Sequence, residues 1–343
     1  MNKRIYASFI ALMMVMGAVA VCVYGQTKNS VSASTLAASD PLLMLPASDA
    51  VAVIDVQRLL TEAMPRALAG NPARLAEANA EIERFKTRTG IDLRSFDRIA
   101  AGMRFGNRSS AATEERKVAI AHGTFDAAAF VAAGRLASKG KYREEKYEGK
   151  TIYIFTLEQQ VKLFGVMNMK VTDLAVTSLD ANTLAMGDPA GVRAAIDASA
   201  GRGARVNSEL VGLATRNPNA MIGFGANLPP SAAQSLDIDN EEIVKTIGSI
   251  RQVYGSIGTT SAGFDMLTVA RTENATQAQS LNDTIAAAKQ FAAMLASHVS
   301  RDSAKGKLVE NALESMKVTM QGNEVQIRLE LAQADVATLV RGF

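Results

Sequence analysis

A chain of 343 residues that is 48% hydrophobic and 21% charged holds material for one large core or two modest ones, which excludes global disorder. Its formal charge is +3, and leaving out Lys3 and Arg4 brings it to about +1, too small for the electrostatic footprint of a nucleic-acid binder. Tryptophan is absent and aromatic residues make up 5%, which argues against stacking platforms for sugars or single strands.

Lys3 and Arg4 precede an uncharged run from Ile5 to Tyr24, the basic-then-apolar order of an export signal. Ala18-Val19-Ala20 is an A-x-A cleavage site, and Val23-Tyr24-Gly25 is a second candidate. Left uncut, the run of about 20 residues is long enough to span a bilayer. Cys22, the one cysteine, raises the question of lipidation, but Val21 stands where lipoprotein signals carry Gly, Ala or Ser. Residues 1–25 therefore read as a signal peptide or an N-terminal membrane anchor. In either case the rest of the chain lies outside the cytoplasm, periplasmic or extracellular. Without a further cysteine, that part forms no disulfide and no thiolate metal cluster. Residues 26–40, rich in Ser, Ala and Thr, read as a disordered linker.

Val51 to Val56 is a short apolar strand. Helical sequence follows and breaks at Gly70-Asn71-Pro72, where Asn and Pro can cap a new helix whose Leu75, Ala78, Ile82 and Phe85 share a face. Gly90 ends that helix. Ile99 to Phe105 and Lys117 to Thr124 read as a strand pair, and Asp126 caps an Ala-rich helix to about Ser138. Tyr142–Tyr147 and Thr151–Phe155 form a hairpin about Glu148-Gly149. After an insertion, Leu174 to Leu179 alternates with period two, Asp180-Ala181-Asn182 turns, Thr183–Gly187 returns, and Asp188-Pro189 opens a helix.

After Asn217-Pro218-Asn219 the second half starts over. Ala220 to Gly225 is its first strand, with Gly223 and Gly225 alternating as for a close backbone approach. Ile243, Ile247, Ile250 and Tyr254 stripe a helix that Gly255 ends. Strands follow near 257–261 and 264–271. Asn274 and Gln277 make a capping-box start to a long helix striped by Leu281, Ile285, Ala288, Ala292, Leu295 and Val299. Lys305–Leu313 is helical. Met316–Met320, a Gln321-Gly322-Asn323 turn, Val325–Leu331 and a short helix at 335–340 repeat the strand–turn–strand–helix order of residues 174–196.

The fold class is α+β, as two tandem β-α-β-β-α-β-β-α repeats over 41–206 and 207–343, with largely antiparallel sheets and helices packed on one face. In its leader, its LPASDAVAVIDV opening strand (residues 45–56) and its GIDLRSFDRI helix exit (residues 90–99), the chain resembles families of exported bacterial proteins of unknown function. The resemblance brings no catalytic or binding residue with it.

Chemistry-bearing motifs are scarce. His122, in phase with Val118 and Ile120, reads as a hydrogen-bonded core imidazole, and His298 as a helix-end donor. Two distant histidines and no exported thiol fall short of a zinc ligand set. Ser138-Lys139-Gly140-Lys141 matches S-x-x-K by letter alone, and no G-x-S-x-G occurs. Asp237 to Glu242 reads as helix capping rather than a calcium loop, and the mixed charges of 139–150 as a solvated hairpin. No catalytic, cofactor-binding or metal-binding residue is assigned.

One segment exceeds what a connection needs. Residues 161–170 place Leu163, Phe164, Val166, Met167 and Met169 in the insertion of the first half, and methionine-rich surfaces suit adaptable contacts with partners or acyl chains. The competing reading is core that closes the open end of a sheet. The functional expectation is a non-enzymatic exported envelope protein that binds a macromolecular partner or an apolar ligand on its surface or in a groove between repeats. The partner would be an envelope protein or a lipid, with the membrane reached through the N-terminal segment if it stays uncut. Two alternatives stand beside it: an envelope hydrolase whose acids, such as Asp55, Asp92 and Asp97, converge in the fold, and a periplasmic lipid carrier with a methionine-lined cavity.

Overall fold

The computed structural model describes residues 40–89, 92–105, 115–138, 140–156, 161–163, 167–169, 173–229, 240–298 and 304–336. They form two compact units, one of residues 40–60 and 76–211 and the other of residues 61–75 and 212 onward.

In the N-terminal unit, a 3-10 turn Pro41–Met44 is capped by Asp40, whose carboxylate accepts from the Leu42 amide. Strand β1 (Ala50–Asp55) leads through helical turns to helix α1 (Pro72–Thr89), which starts at the expected break: the Arg74 amide donates to Asn71 Oδ1 at 3.2 Å. Strands β2 (Phe96–Arg104) and β3 (Arg116–Gly123), helix α2 (Ala127–Ala137), and strands β4 (Tyr142–Tyr147) and β5 (Lys150–Thr156) follow. Glu148 at φ 49° and Gly149 at φ 75° join the last two, the paired left-handed residues that a two-residue hairpin requires. Strands β6 (Val161–Leu163) and β7 (Met167–Met169) pair, among the described residues, with each other. Strands β8 (Asp173–Asp180) and β9 (Thr183–Gly187) then lead into helix α3 (Pro189–Ser199), where Asp188 accepts from the Gly191 amide at 2.6 Å.

The sheet of this unit runs β1-β2-β3-β9-β8-β5-β4, each neighbour antiparallel. Helices cover both of its faces, which corrects the expectation of one covered face. Consecutive residues Thr183, Leu184 and Ala185 on β9 are all fully buried, which a strand achieves only when both faces are covered. Leu184 clusters with Val131 of α2 and with Val176, while α3 lies against β3, β8 and β9 through Val192, Ala195 and Ile196.

The second unit contains strand β10 (Ile222–Asn227), which follows helix α4 (Ser208–Ala214) at the unit boundary. Helix α5 (Glu241–Ile247) is capped by Asn240, which accepts from the Glu242 and Ile243 amides. Strands β11 (Ile250–Thr259) and β12 (Gly263–Thr272), helices α6 (Ala275–His298) and α7 (Ala304–Ser315), and strands β13 (Lys317–Gln321) and β14 (Glu324–Ala332) complete it. The spatial order is β10-β11-β12-β14-β13, again antiparallel throughout.

Here the expected helix over 243–254 is cut short. Gly248 caps α5, and Ile250 and Tyr254 belong to β11, which starts seven residues before the predicted strand. Gly255 serves close approach and not helix termination. A Cβ there would lie 1.9 Å from the Leu267 carbonyl oxygen and 2.7 Å from the Phe224 ring. Helix α6 packs through Ala278, Leu281 and Ile285 directly on Ala270 and Val325 of the sheet. Residues 61–75, drawn from the first half of the sequence, are anchored in this unit. Thr259 Oγ1 donates to the Glu62 carboxylate at 3.1 Å, and the Arg66 guanidinium donates to the Thr260 carbonyl.

Among the described residues, no helix is long and apolar enough to cross a membrane. The anchor expected at residues 5–24, the linker before Asp40, Gly90, Asp237 and Asp239 lie outside the described residues.

Candidate functional site

An open depression of about 350 Å³ lies at the ends of strands β4 and β5, lined by Gly140, Lys141, Tyr142, Arg143 and Thr156. Its aromatic lining residue, Tyr142, is packed by strand register, lying opposite Phe155 and beside Tyr153, with ring centroids 5.9 and 6.1 Å away. Arg135, in the last turn of α2, stands over the Tyr142 and Tyr153 rings at 5.4 and 5.1 Å and donates from Nε to the Tyr142 hydroxyl at 3.0 Å. That hydrogen bond is the main reason the guanidinium holds its proton more tightly than usual. On the other side, Arg143 pairs with Asp173 at 2.8 Å, and Thr156 Oγ1 donates to the same carboxylate at 3.2 Å. The Arg143 hydrogen bond holds Asp173 below the usual carboxylate range.

Thr156 of the depression is also the last residue of β5, so the insertion carrying the predicted contact residues leaves from the depression's rim. Within it β6 and β7 form an antiparallel ribbon in which Val161 pairs with Met169, Lys162 with Asn168 and Leu163 with Met167. This register puts positions 161, 163, 167 and 169 on one side of the ribbon and 162 and 168 on the other. Phe164 and Val166 lie outside the described residues.

The remaining sequence candidates have local roles. His122 is half-buried, with Nδ1 3.2 Å from Thr183 Oγ1 across the β3–β9 pair. Asp55 accepts from the Arg58 amide, and Asp92 accepts from the Arg94 amide and from Lys86 Nζ. Lys86 is the chief cause of Asp92's lowered pKa. Asp92, Glu145, Asp173 and Glu273 are each held below the ordinary carboxylate range by a hydrogen-bonded cation, opposite to a general acid held protonated in a cleft. The charged hairpin is tied down, with Arg193 on Glu145, Arg202 on Glu148 at 3.2 Å and the Tyr147 hydroxyl on Asp197 at 2.8 Å. Among the described residues, no three His, Cys, Asp or Glu side chains are grouped to hold a metal ion.

Sequence reasoning missed a polar cluster in the second unit. Tyr254, 2% exposed, donates to Glu324 Oε1 at 3.0 Å and accepts from Arg216 Nη1 at 2.8 Å. Arg271 pairs with Glu324 at 2.8 Å and reaches Gln252, which donates to Asn227 at 2.8 Å. Arg216 and Arg271 stand 5.1 and 5.6 Å from the centre of the Tyr254 ring. Burial pushes the phenol up to about 12. The available signal was the alternation of Gln252, Tyr254 and Ser256, which a helical reading of the same residues hides.

No family's sequence profile matches the chain, and no curated protein matches it in sequence. Among solved structures it is similar to crystal form III of TP0453, at 9% identity and a TM-score of 0.48, covering 90% of this chain and 100% of that one. Crystal form I of TP0453 gives 8% identity, a TM-score of 0.46 and coverage of 89% and 98%. Likeness at this level assigns no residue a role.

Proposed function

We propose that this chain is an exported, non-enzymatic protein of the cell envelope that binds a partner or an apolar ligand through the 161–169 ribbon and the depression at its root. The observation that carries the reading is the ribbon's register, which puts positions 161, 163, 167 and 169 on one side of a two-stranded element that, among the described residues, pairs with no other strand. An isolated two-stranded ribbon is marginal in water, so apolar residue types along one side of it favour an occupant. Export rests on the Lys3-Arg4 and Ile5–Tyr24 leader. The membrane is reached through that leader if it is retained. The carrier version of the reading needs open space beneath the helices. In the second unit Ala278, Leu281 and Ile285 fill that place against the sheet, so the ribbon is the better seat for an apolar occupant.

The architecture also supports a duplication. Both units place their first, second and third strands side by side and then their last strand before the one preceding it, β1-β2-β3-β9-β8 in one and β10-β11-β12-β14-β13 in the other. The hairpin end β5-β4 and the ribbon are then additions to the first copy.

Native mass spectra of the protein taken gently from its own host test the reading. A reproducible adduct or partner, lost in a Met167→Gln/Met169→Gln variant that keeps its unfolding midpoint, supports it. Identical spectra from the two proteins would remove the ribbon from the function.

A further inference from the structure

The Tyr254 cluster stands apart from the depression and ribbon, and its charges do not balance. Arg271 is neutralised by Glu324 at 2.8 Å. Arg216 is exposed, and among the described residues its one side-chain partner is the Tyr254 phenol, a neutral group. The phenol's own proton is committed to Glu324, so its oxygen can only accept from Arg216. The guanidinium is thus held over a buried ring at 5.1 Å, with one N–H used and, among the described residues, no side-chain acceptor for its other donors. A planar fork fixed in this way has already lost the rotamer freedom that a free surface arginine would lose on binding, and it matches the geometry of an oxyanion.

We infer that Arg216, positioned by Tyr254, is the docking point for a phosphate or similar oxyanion, either free in solution or on a lipid headgroup. The only carboxylate in the cluster, Glu324, is screened by Arg271 and so does not oppose the incoming charge at full strength.

The test uses the full chain with inorganic phosphate, read as ³¹P line broadening. A parallel arm measures sedimentation with phosphatidylglycerol vesicles against phosphatidylcholine vesicles. Arg216→Gln and Arg216→Lys are compared with the parent, and circular dichroism checks that each is folded. Broadening that is lost in Arg216→Gln and partly kept in Arg216→Lys assigns a soluble oxyanion. Preferential sedimentation with the anionic vesicles, reduced several-fold by Arg216→Gln without phosphate broadening, assigns the lipid source. Binding that is equal in parent and Arg216→Gln, or absent in both arms, overturns the inference.

Discussion

Arg193 and Glu145 join helix α3 to strand β4 through two parallel hydrogen bonds, Nε to Oε1 at 2.6 Å and Nη2 to Oε2 at 2.7 Å. This fork fixes β4, which among the described residues has a sheet neighbour on one side only. The Arg193 hydrogen bond holds Glu145 below its ordinary value of 4.5. A depressed folded-state value means that the contribution is complete above the ordinary value and is lost as pH falls through the lower one. Glu145→Gln is expected to cost about 0.5–1.5 kcal/mol at pH 7 by urea denaturation. The gap to the parent should close as pH drops below 4.5. A gap of the same size at pH 7 and in acid would refute the linkage.

Gly255 and Gly212 make opposite predictions for one substitution. A methyl group at 255 meets the Leu267 carbonyl at 1.9 Å, whereas at 212, on helix α4, nothing lies within 4 Å. Gly255→Ala should destabilise by about 1–3 kcal/mol through overpacking. Gly212→Ala should stabilise by about 0.5–1 kcal/mol, since alanine loses less backbone freedom in a helix. Urea midpoints that moved in the same direction would contradict the strand assignment of Gly255.

Helix α6 depends on its first turn. Asn274 Oδ1 accepts from the Gln277 amide at 3.0 Å, and Gln277 Oε1 accepts from the Glu273 amide at 3.1 Å. Asn274→Ala should cost about 0.5–2 kcal/mol and speed amide exchange in that turn before the helix centre. Uniform exchange along the helix would show that the cap does not hold the end.

Tyr254 should titrate late. Its ordinary value of 10 is raised to about 12 by burial. The unfolded chain ionises first, so this group's contribution is intact below 10 and is lost as pH rises towards 12. An alkaline absorbance titration should contain a late tyrosine component that disappears in Tyr254→Phe, while the contribution of Tyr147, raised by its hydrogen bond to Asp197, remains. The substitution should also cost about 1–3 kcal/mol, because Glu324 and Arg216 lose a partner. A titration unchanged by Tyr254→Phe would place the late group elsewhere.

Several predicted features involve residues close together in sequence. Asn71, Asp126, Asp188, Asn240 and Asn274 each accept from amides two or three residues ahead. The Glu148-Gly149 turn follows from two adjacent residues that both adopt positive φ. Such interactions need no knowledge of the rest of the chain, and they made these turns and helix starts legible. The ribbon was legible only as an excess of apolar residues. Its alignment along one side came from the pairing of Leu163 with Met167 and of Val161 with Met169.

Where two periodicities fitted, the sequence reading took the helical one, and the structure corrected it. Ile243, Ile247, Ile250 and Tyr254 satisfy a helical stripe, yet a strand from Ile250 brings Gly255 against the Leu267 carbonyl and sets Tyr254 between two arginines. Arg271 and Glu324, 17 and 70 residues from Tyr254, meet it because β11, β12 and β14 are neighbours, and Arg216, 38 residues away, reaches it from the segment that follows α4. Likewise, residues 61–75 belong to the first half in sequence and to the second unit in space. Local hydrogen bonding and turn sterics are written in neighbouring residues and were determined by the sequence alone. Which strands adjoin, which faces are covered and which charges share a partner depend on contacts between distant residues, and only the tertiary structure decided them.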